Sequence, residues 1–210
     1  MKKEIGEKSF PIWILGDSNP KNWESTLEHP FDSRHPIRHN IITSVFDIIQ
    51  ETVFLNNRSR VDTRKIYIRN AIEDSLFKPL SRSVKWSDNV NKEIILLRNV
   101  INQNNPKMLI TFGAFSFEFA RRCLEESEEK KYNFWNTENL GVEFFKRTSE
   151  FNLQKLNIIP LLHRSIAGGN FLKSHYLFCK KTNSNYFEEV GNIVASIFLK
   201  NENELTIWCK

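Results

Sequence analysis

An aspartate and an asparagine in Gly16-Asp-Ser-Asn-Pro20, an asparagine at position 70 and the run His163-Arg-Ser165 are the residues best suited to chemistry on a small polar group. Asp17 or Asn19 can orient or activate a water, and Gly16 permits a ligand or the chain itself to come close. The flat carboxamide of Asn70 offers one acceptor and two donors, which complements the hydrogen-bonding edge of a pyrimidine. His163 can donate to a developing anion, while Arg164, Ser165 and the glycine-flanked backbone of Ala167-Gly-Gly-Asn170 can meet phosphates. Gathered at one crevice, these groups suit cleavage of a sugar from its base. Each also has an ordinary structural use. Asp, Ser, Asn and Pro close strand-ending turns, an asparagine caps a strand, and a single histidine is commonly satisfied within the fold.

A second cluster lies in Phe31-Asp-Ser-Arg-His-Pro-Ile-Arg-His39. Phe31 can stack on a flipped base, and Arg34 and Arg38 can hold phosphates. An ordinary surface loop with Phe31 turned into the core is the competing reading.

These residues share one position: each polar cluster ends an apolar run. The runs are Phe10-Pro-Ile-Trp-Ile-Leu15, Lys65-Ile-Tyr-Ile68 and Leu156-Asn-Ile-Ile-Pro-Leu-Leu162, and a fourth, Met108-Leu-Ile-Thr-Phe112, ends at Gly113. Short runs rich in branched and aromatic residues, spaced by amphipathic stretches, read as parallel strands buried on both faces. In such a sheet the polar ends open on one crevice. The expected fold class is α/β, a single-domain three-layer sandwich with a mainly parallel central sheet flanked by helices.

Helical spacing places a crossover helix from Asn40 to about Phe54 and another after Ser87 or Asp88, which ends at Asn104-Asn105-Pro106. Gly113-Ala114 turns the chain into a third helix carrying Phe115, Phe119, Cys123 and Leu124. Residues 125 to 152 read as an exposed helix end followed by an irregular insertion. His175 to Cys179 reads as a strand, Tyr186 to Lys200 as a helix and Leu205 to Cys209 as a terminal strand.

A chain of 210 residues, 40% hydrophobic and 12% aromatic, fills one substantial core, so a single domain over residues 1 to 210 is expected. Its net charge of +5 favours an anionic ligand. Cys123, Cys179 and Cys209 are odd in number and lack any Cys-x-x-Cys spacing, which argues against a disulfide framework, a zinc ribbon or an iron–sulfur cluster. The charged N-terminus lacks a signal-peptide core, and no apolar run nears the roughly 20 residues that cross a bilayer. A cytoplasmic monomer with no cofactor, no metal and no membrane partner is the expectation.

Taken in order, the motifs resemble the uracil-DNA glycosylase superfamily. Gly16-Asp-Ser-Asn-Pro20 is similar to its first motif, the strand-ending turn that handles water. Lys65-Ile-Tyr-Ile-Arg-Asn70 resembles the strand whose terminal Asn reads the base. Pro106-Lys-Met-Leu-Ile-Thr-Phe-Gly113 is similar to the strand leading into an Ala-containing helix, and Leu161-Leu-His-Arg-Ser165 to the His-Pro-Ser motif. The match spans about residues 10 to 180. It departs from the family in one extra residue before Asn19-Pro20, in Lys21 where many members have Gly, and in Arg164 at the place of proline.

The resemblance implies a monofunctional DNA glycosylase acting on a flipped-out uracil or modified pyrimidine, for repair or for defence against phage DNA with altered bases. Its implied roles are catalysis by Asp17 or Asn19 and His163, base binding by Phe31, Asn70 and Gly16, and DNA contacts by Arg164, Ser165, Arg34 and Arg38. In relatives the loop after the histidine enters the minor groove, where Arg164 can fill the space of an extruded nucleotide. A non-catalytic nucleic-acid or nucleotide binding module and a hydrolase of free nucleosides are the alternatives.

Overall fold

Four of the five strands of the main sheet run parallel, and their order folds the chain back on itself. A computed structural model describes residues 4–19, 26–35, 38–126, 128–163, 171–181, 185–205 and 208–209. In chain order the elements are β1 (Glu4–Ile5), β2 (Ile12–Gly16), α1 (Ser44–Asn57), β3 (Arg60–Val61), β4 (Tyr67–Asn70), α2 (Asp88–Asn104), β5 (Met108–Phe112), α3 (Ala114–Cys123), α4 (Thr137–Ser149), β6 (Asn157–Leu161), α5 (Phe171–Cys179), α6 (Tyr186–Lys200), α7 (Glu202–Leu205) and β7 (Trp208–Cys209). The sheet order is β1-β4-β2-β5-β6, with β1 the antiparallel edge.

All residues of β2, β5 and β6 are buried, which is why their sequences are continuous apolar runs. Register aligns Gly16 with Asn70 on β2 and β4, and Phe112 with Leu161 on β5 and β6. The strand ends that carry the polar clusters therefore lie level. The chain passes from β2 outward to β4 through α1, then reverses past β2 to β5 through α2 and on to β6 through α3 and α4. Connections between parallel strands are as a rule right-handed, which sets outward and returning helices on opposite faces of such a sheet. The expected α/β class with a mainly parallel sheet between helices is observed.

Helix boundaries follow local chemistry. Ser87, extended at φ −69°, is the N-cap of α2, and Asn105 closes that helix in the left-handed conformation at φ 48° just before Pro106. Gly113 turns β5 into α3. The first crossover begins earlier and more loosely than expected, as a π-helical stretch over Arg38–Thr43 that tightens into α1.

Three expectations are corrected. Residues 125 to 152 are not an irregular insertion: a 3₁₀ turn at Tyr132–Phe134 leads into α4, whose Phe144 is fully buried and stacks near Phe178 at 5.5 Å between ring centroids. The organiser is Glu118 on α3, fully buried, which accepts from Arg121 at 2.6 Å, Arg122 at 3.1 Å, the Trp135 indole at 2.7 Å and the Lys130 amide at 2.8 Å. His175 to Cys179 is helix, not strand: Phe178 packs inward against Phe144 of α4 and Tyr186 of α6, Tyr176 faces outward, and His175 Nδ1 accepts from the Tyr186 amide at 3.2 Å. Tertiary packing overrides the β-leaning composition of that segment. The terminal segment divides into α7 and the short β7, which pairs with β3 in a separate two-stranded sheet. Among the described residues no helix is long and apolar enough to cross a membrane.

Candidate active site

The reversal in strand order falls between β2 and β5, and crevices beyond the carboxyl ends of parallel strands open at such a point. A cavity of about 250 Å³ lies there, lined by Asp17, Asn19, Phe31, Asn70, Lys78 and His163 among others. Five separate stretches of chain, the ends of β2, β4 and β6 and the loops after β2 and β4, thus converge on one space.

Backbone pairing explains the convergence of the first two. Beyond the formal strands, the Ala71 amide donates to the Gly16 carbonyl at 2.9 Å, Ile72 to Asp17 at 3.3 Å, and Asn19 to Glu73 at 3.2 Å. The turns after β2 and β4 leave the sheet side by side. Arg69, buried in β4, donates to the Asn70 carbonyl at 3.0 Å and to Glu93 of α2 at 2.8 Å, fixing the strand end. Gly16 is required by crowding: a Cβ there would stand 2.2 Å from Asn70 Oδ1 and 2.8 Å from the Phe31 ring.

The two candidate water-holding residues have different partners. Asn19 Oδ1 accepts from Asn70 Nδ2 at 2.6 Å, which ties both amides together and leaves Asn70 with its oxygen and one N–H for a ligand. Asp17 Oδ2 accepts from the Lys78 ammonium at 2.5 Å, and Asp17 Oδ1 is buried with no hydrogen-bond partner among the described residues. An unpartnered buried carboxylate oxygen is costly unless something fills the place, and a water or a substrate hydroxyl suits it.

His163 is solvent-accessible. The protein crowded around its ring nevertheless pushes its pKa below the ordinary imidazole value; Asp17 opposes that shift, and Lys78 and His35 add to it. Its backbone is set by two contacts: the buried Tyr186 hydroxyl accepts from the Leu162 amide at 2.9 Å, and the Gly113 amide donates to the Leu161 carbonyl at 2.8 Å. Gly113 stands at φ +93°, and a Cβ on it would lie 2.6 Å from His163 Cβ. Only glycine lets β5 end this close to the histidine.

Phe31 is 8% exposed and stands in the left-handed region at φ 56°, with its ring 5.6 Å from Phe112. That conformation is unfavourable for a bulky residue and is held by its neighbours. Asp32 supplies the hold: it accepts from the Glu28 amide at 2.9 Å, the Arg34 amide at 2.9 Å and the Arg34 guanidinium at 2.7 Å. These hydrogen bonds, the guanidinium's foremost, keep the Asp32 carboxyl well below the usual carboxylate range.

The two arginines differ from their expected role. Arg34 is paired with Asp32 and, at 3.3 Å, with Glu28, so its guanidinium is already occupied by carboxylates. Arg38 lines a separate hollow with Ile14, Ile42, Phe46 and Gln50, away from the crevice that holds Asn70 and His163. Arg164 and Ser165 lie outside the described residues.

Lys78 was not marked by the sequence. It follows the 3₁₀ turn Ser75–Phe77 and is extended at φ −60°, ψ 125°, as the residue before a proline prefers. Its ammonium lies 5.2 Å from the Phe115 ring centroid and 5.6 Å from that of Tyr132. The Lys78-Pro79 dipeptide reads as a turn, and only the fold brings its cation to Asp17. A second hollow of about 300 Å³ adjoins the first and shares Asp17, Lys78 and His163 with it. Searches against protein-family models and curated proteins find no match to this chain.

Proposed function

We propose that this chain is a DNA glycosylase of the uracil-DNA glycosylase type, hydrolysing the N-glycosidic bond of a flipped-out uracil or modified pyrimidine and leaving an abasic site. The observation that carries this reading is the meeting of Asn70, His163, Phe31 and Asp17 around one cavity, from stretches of chain that share nothing but their place at the strand ends. The cytoplasm is the compartment that fits such a substrate and the three widely spaced cysteines.

Breaking the bond leaves positive character on the sugar and negative charge on the base, and both need stabilising before water adds. Phe31 stacks on the base, and the free face of the Asn70 amide pairs with its edge. His163, as a neutral imidazole, donates one N–H to the oxygen on which charge develops. Asp17 rather than Asn19 is the residue for the water and the cationic sugar, because the Asn19 oxygen is occupied by Asn70 while Asp17 keeps an unpartnered oxygen.

Alkali-induced strand breakage after incubation with DNAs containing uracil or modified pyrimidines tests the reading. Breaks are expected with the wild type and not with Asn70→Asp or His163→Ala. A second reading, a binding module that grips a nucleotide without cleaving it, draws support from the same hydrogen bonds, since both water-holding candidates are partly engaged. That reading expects retention of DNA with no alkali-labile sites.

A further inference from the structure

Lys78 has no task in hydrolysis, yet it is the only lysine or arginine among the described residues lining either hollow. Its ammonium touches the Asp17 carboxylate at 2.5 Å and lies over two aromatic rings, at the boundary between the cavity that takes the base and the hollow beside it. The Lys78 side chain is 29% exposed, so the amine is shielded but reachable. A primary amine paired with a carboxylate that can take its proton is the equipment for condensation with a carbonyl. An abasic deoxyribose supplies such a carbonyl when its ring opens to the C1′ aldehyde.

We infer that Lys78 gives the protein a second activity on its own product: imine formation with the abasic sugar, followed by cleavage of the strand on its 3′ side. The inference rests on the glycosylase reading only in requiring that this crevice accept an extrahelical deoxyribose. In the first step the Lys78 ammonium passes a proton to Asp17, the Nζ lone pair adds to C1′, and the former aldehyde oxygen leaves as water, taking that proton and the second proton from Nζ. The protonated imine C1′=Nζ draws electrons from C2′. Asp17, again a carboxylate, removes the C2′ proton, the electron pair moves to form C2′=C3′, and the C3′–O3′ bond breaks with its pair leaving on the phosphate. Water then adds to C1′ and releases lysine and an unsaturated aldehyde. No oxidant, reductant or metal takes part.

The probe is a duplex oligonucleotide carrying one abasic site, incubated with the full chain and sodium borohydride, which reduces an imine to a stable amine. A covalent protein–DNA adduct is expected with the wild type and with Lys155→Ala, an exposed lysine far along the chain. Adduct is expected to fall at least tenfold in Lys78→Ala and equally in Lys78→Arg, which retains a cation for Asp17 but cannot form the imine. Without borohydride, the wild type is expected to nick the probe and Lys78→Arg to leave it intact. No adduct above a protein-free control, or an adduct that persists in Lys78→Arg, overturns the inference. Base release measured separately on base-containing DNA distinguishes that failure from failure of the glycosylase reading: release without an adduct removes only the second activity.

Discussion

In the proposed reaction the neutral imidazole of His163, positioned by Gly113 and Leu162, is the donor to the base anion. The protein crowded around its ring lowers its pKa, with Asp17, Lys78 and His35 as the charged and titratable groups around it. A lowered value means that the neutral form persists in the fold as pH falls through the unperturbed value of about 6.5. The acid limb of base release assigned to His163 is therefore expected below pH 6.5, and His163→Gln is expected to remove it; a limb above pH 7 contradicts the assignment. The same shift has a sign for stability: the contribution from His163 is present above the unfolded pKa and is lost as pH drops toward the folded one. At Asn70 the expected loss is about 10²-fold or more in release for Asn70→Asp, because the substitution removes a donor and sets a carboxylate against Asn19 Oδ1. Steady-state rates on a single-base substrate check this.

Elements put these groups where they are, and two of the arrangements are sensitive to small changes. Gly113→Ala forces φ +93° on a residue with a Cβ and drives that carbon into His163. The expected cost is about 1–3 kcal/mol, measured by denaturant unfolding, with a fall in base release at temperatures where the variant remains folded. Glu118→Ala leaves the guanidinium groups of Arg121 and Arg122 short of their buried partner, with an expected cost of about 3–5 kcal/mol. The strands that end at Gly16, Asn70 and Leu161 were legible because burial on both faces leaves an uninterrupted apolar run. Helix α6 was legible through its regular apolar spacing, and α2 through its cap residues. Helix α4 was not, since Tyr132 to Phe151 reads as an aromatic-rich irregular stretch, and the charge run before it looks solvated until the Lys130 amide is known to reach the buried Glu118. Helix α5 was misread because His175-Tyr-Leu-Phe-Cys179 carries no periodicity over so short a span. Asp17, Asn19, Asn70 and His163 were marked by their place at strand ends and Phe31 by its loop, and all five line one cavity. Lys78 was hidden in a turn, and the pairing of Arg34 with Asp32 depends on a loop geometry that spacing does not encode.

At the scale of the molecule, reversal of strand order opens the crevice, and level strand ends bring distant side chains into it. The net charge of +5 gives the chain an attraction for a polyanion, so DNA affinity is expected to fall linearly on a log–log plot against salt, about 0.9 per neutralised phosphate. Affinity indifferent to salt from 50 to 200 mM, measured by fluorescence anisotropy with a duplex, contradicts a DNA substrate and favours a free nucleoside. The most direct measurement is mass spectrometry of the small molecules released from a panel of normal and modified-base DNAs. A free pyrimidine from one or more members, absent with Asn70→Asp, is the expected result; no free base from any member, or equal release by Asn70→Asp, contradicts a crevice in which an amide reads the base that is cut away.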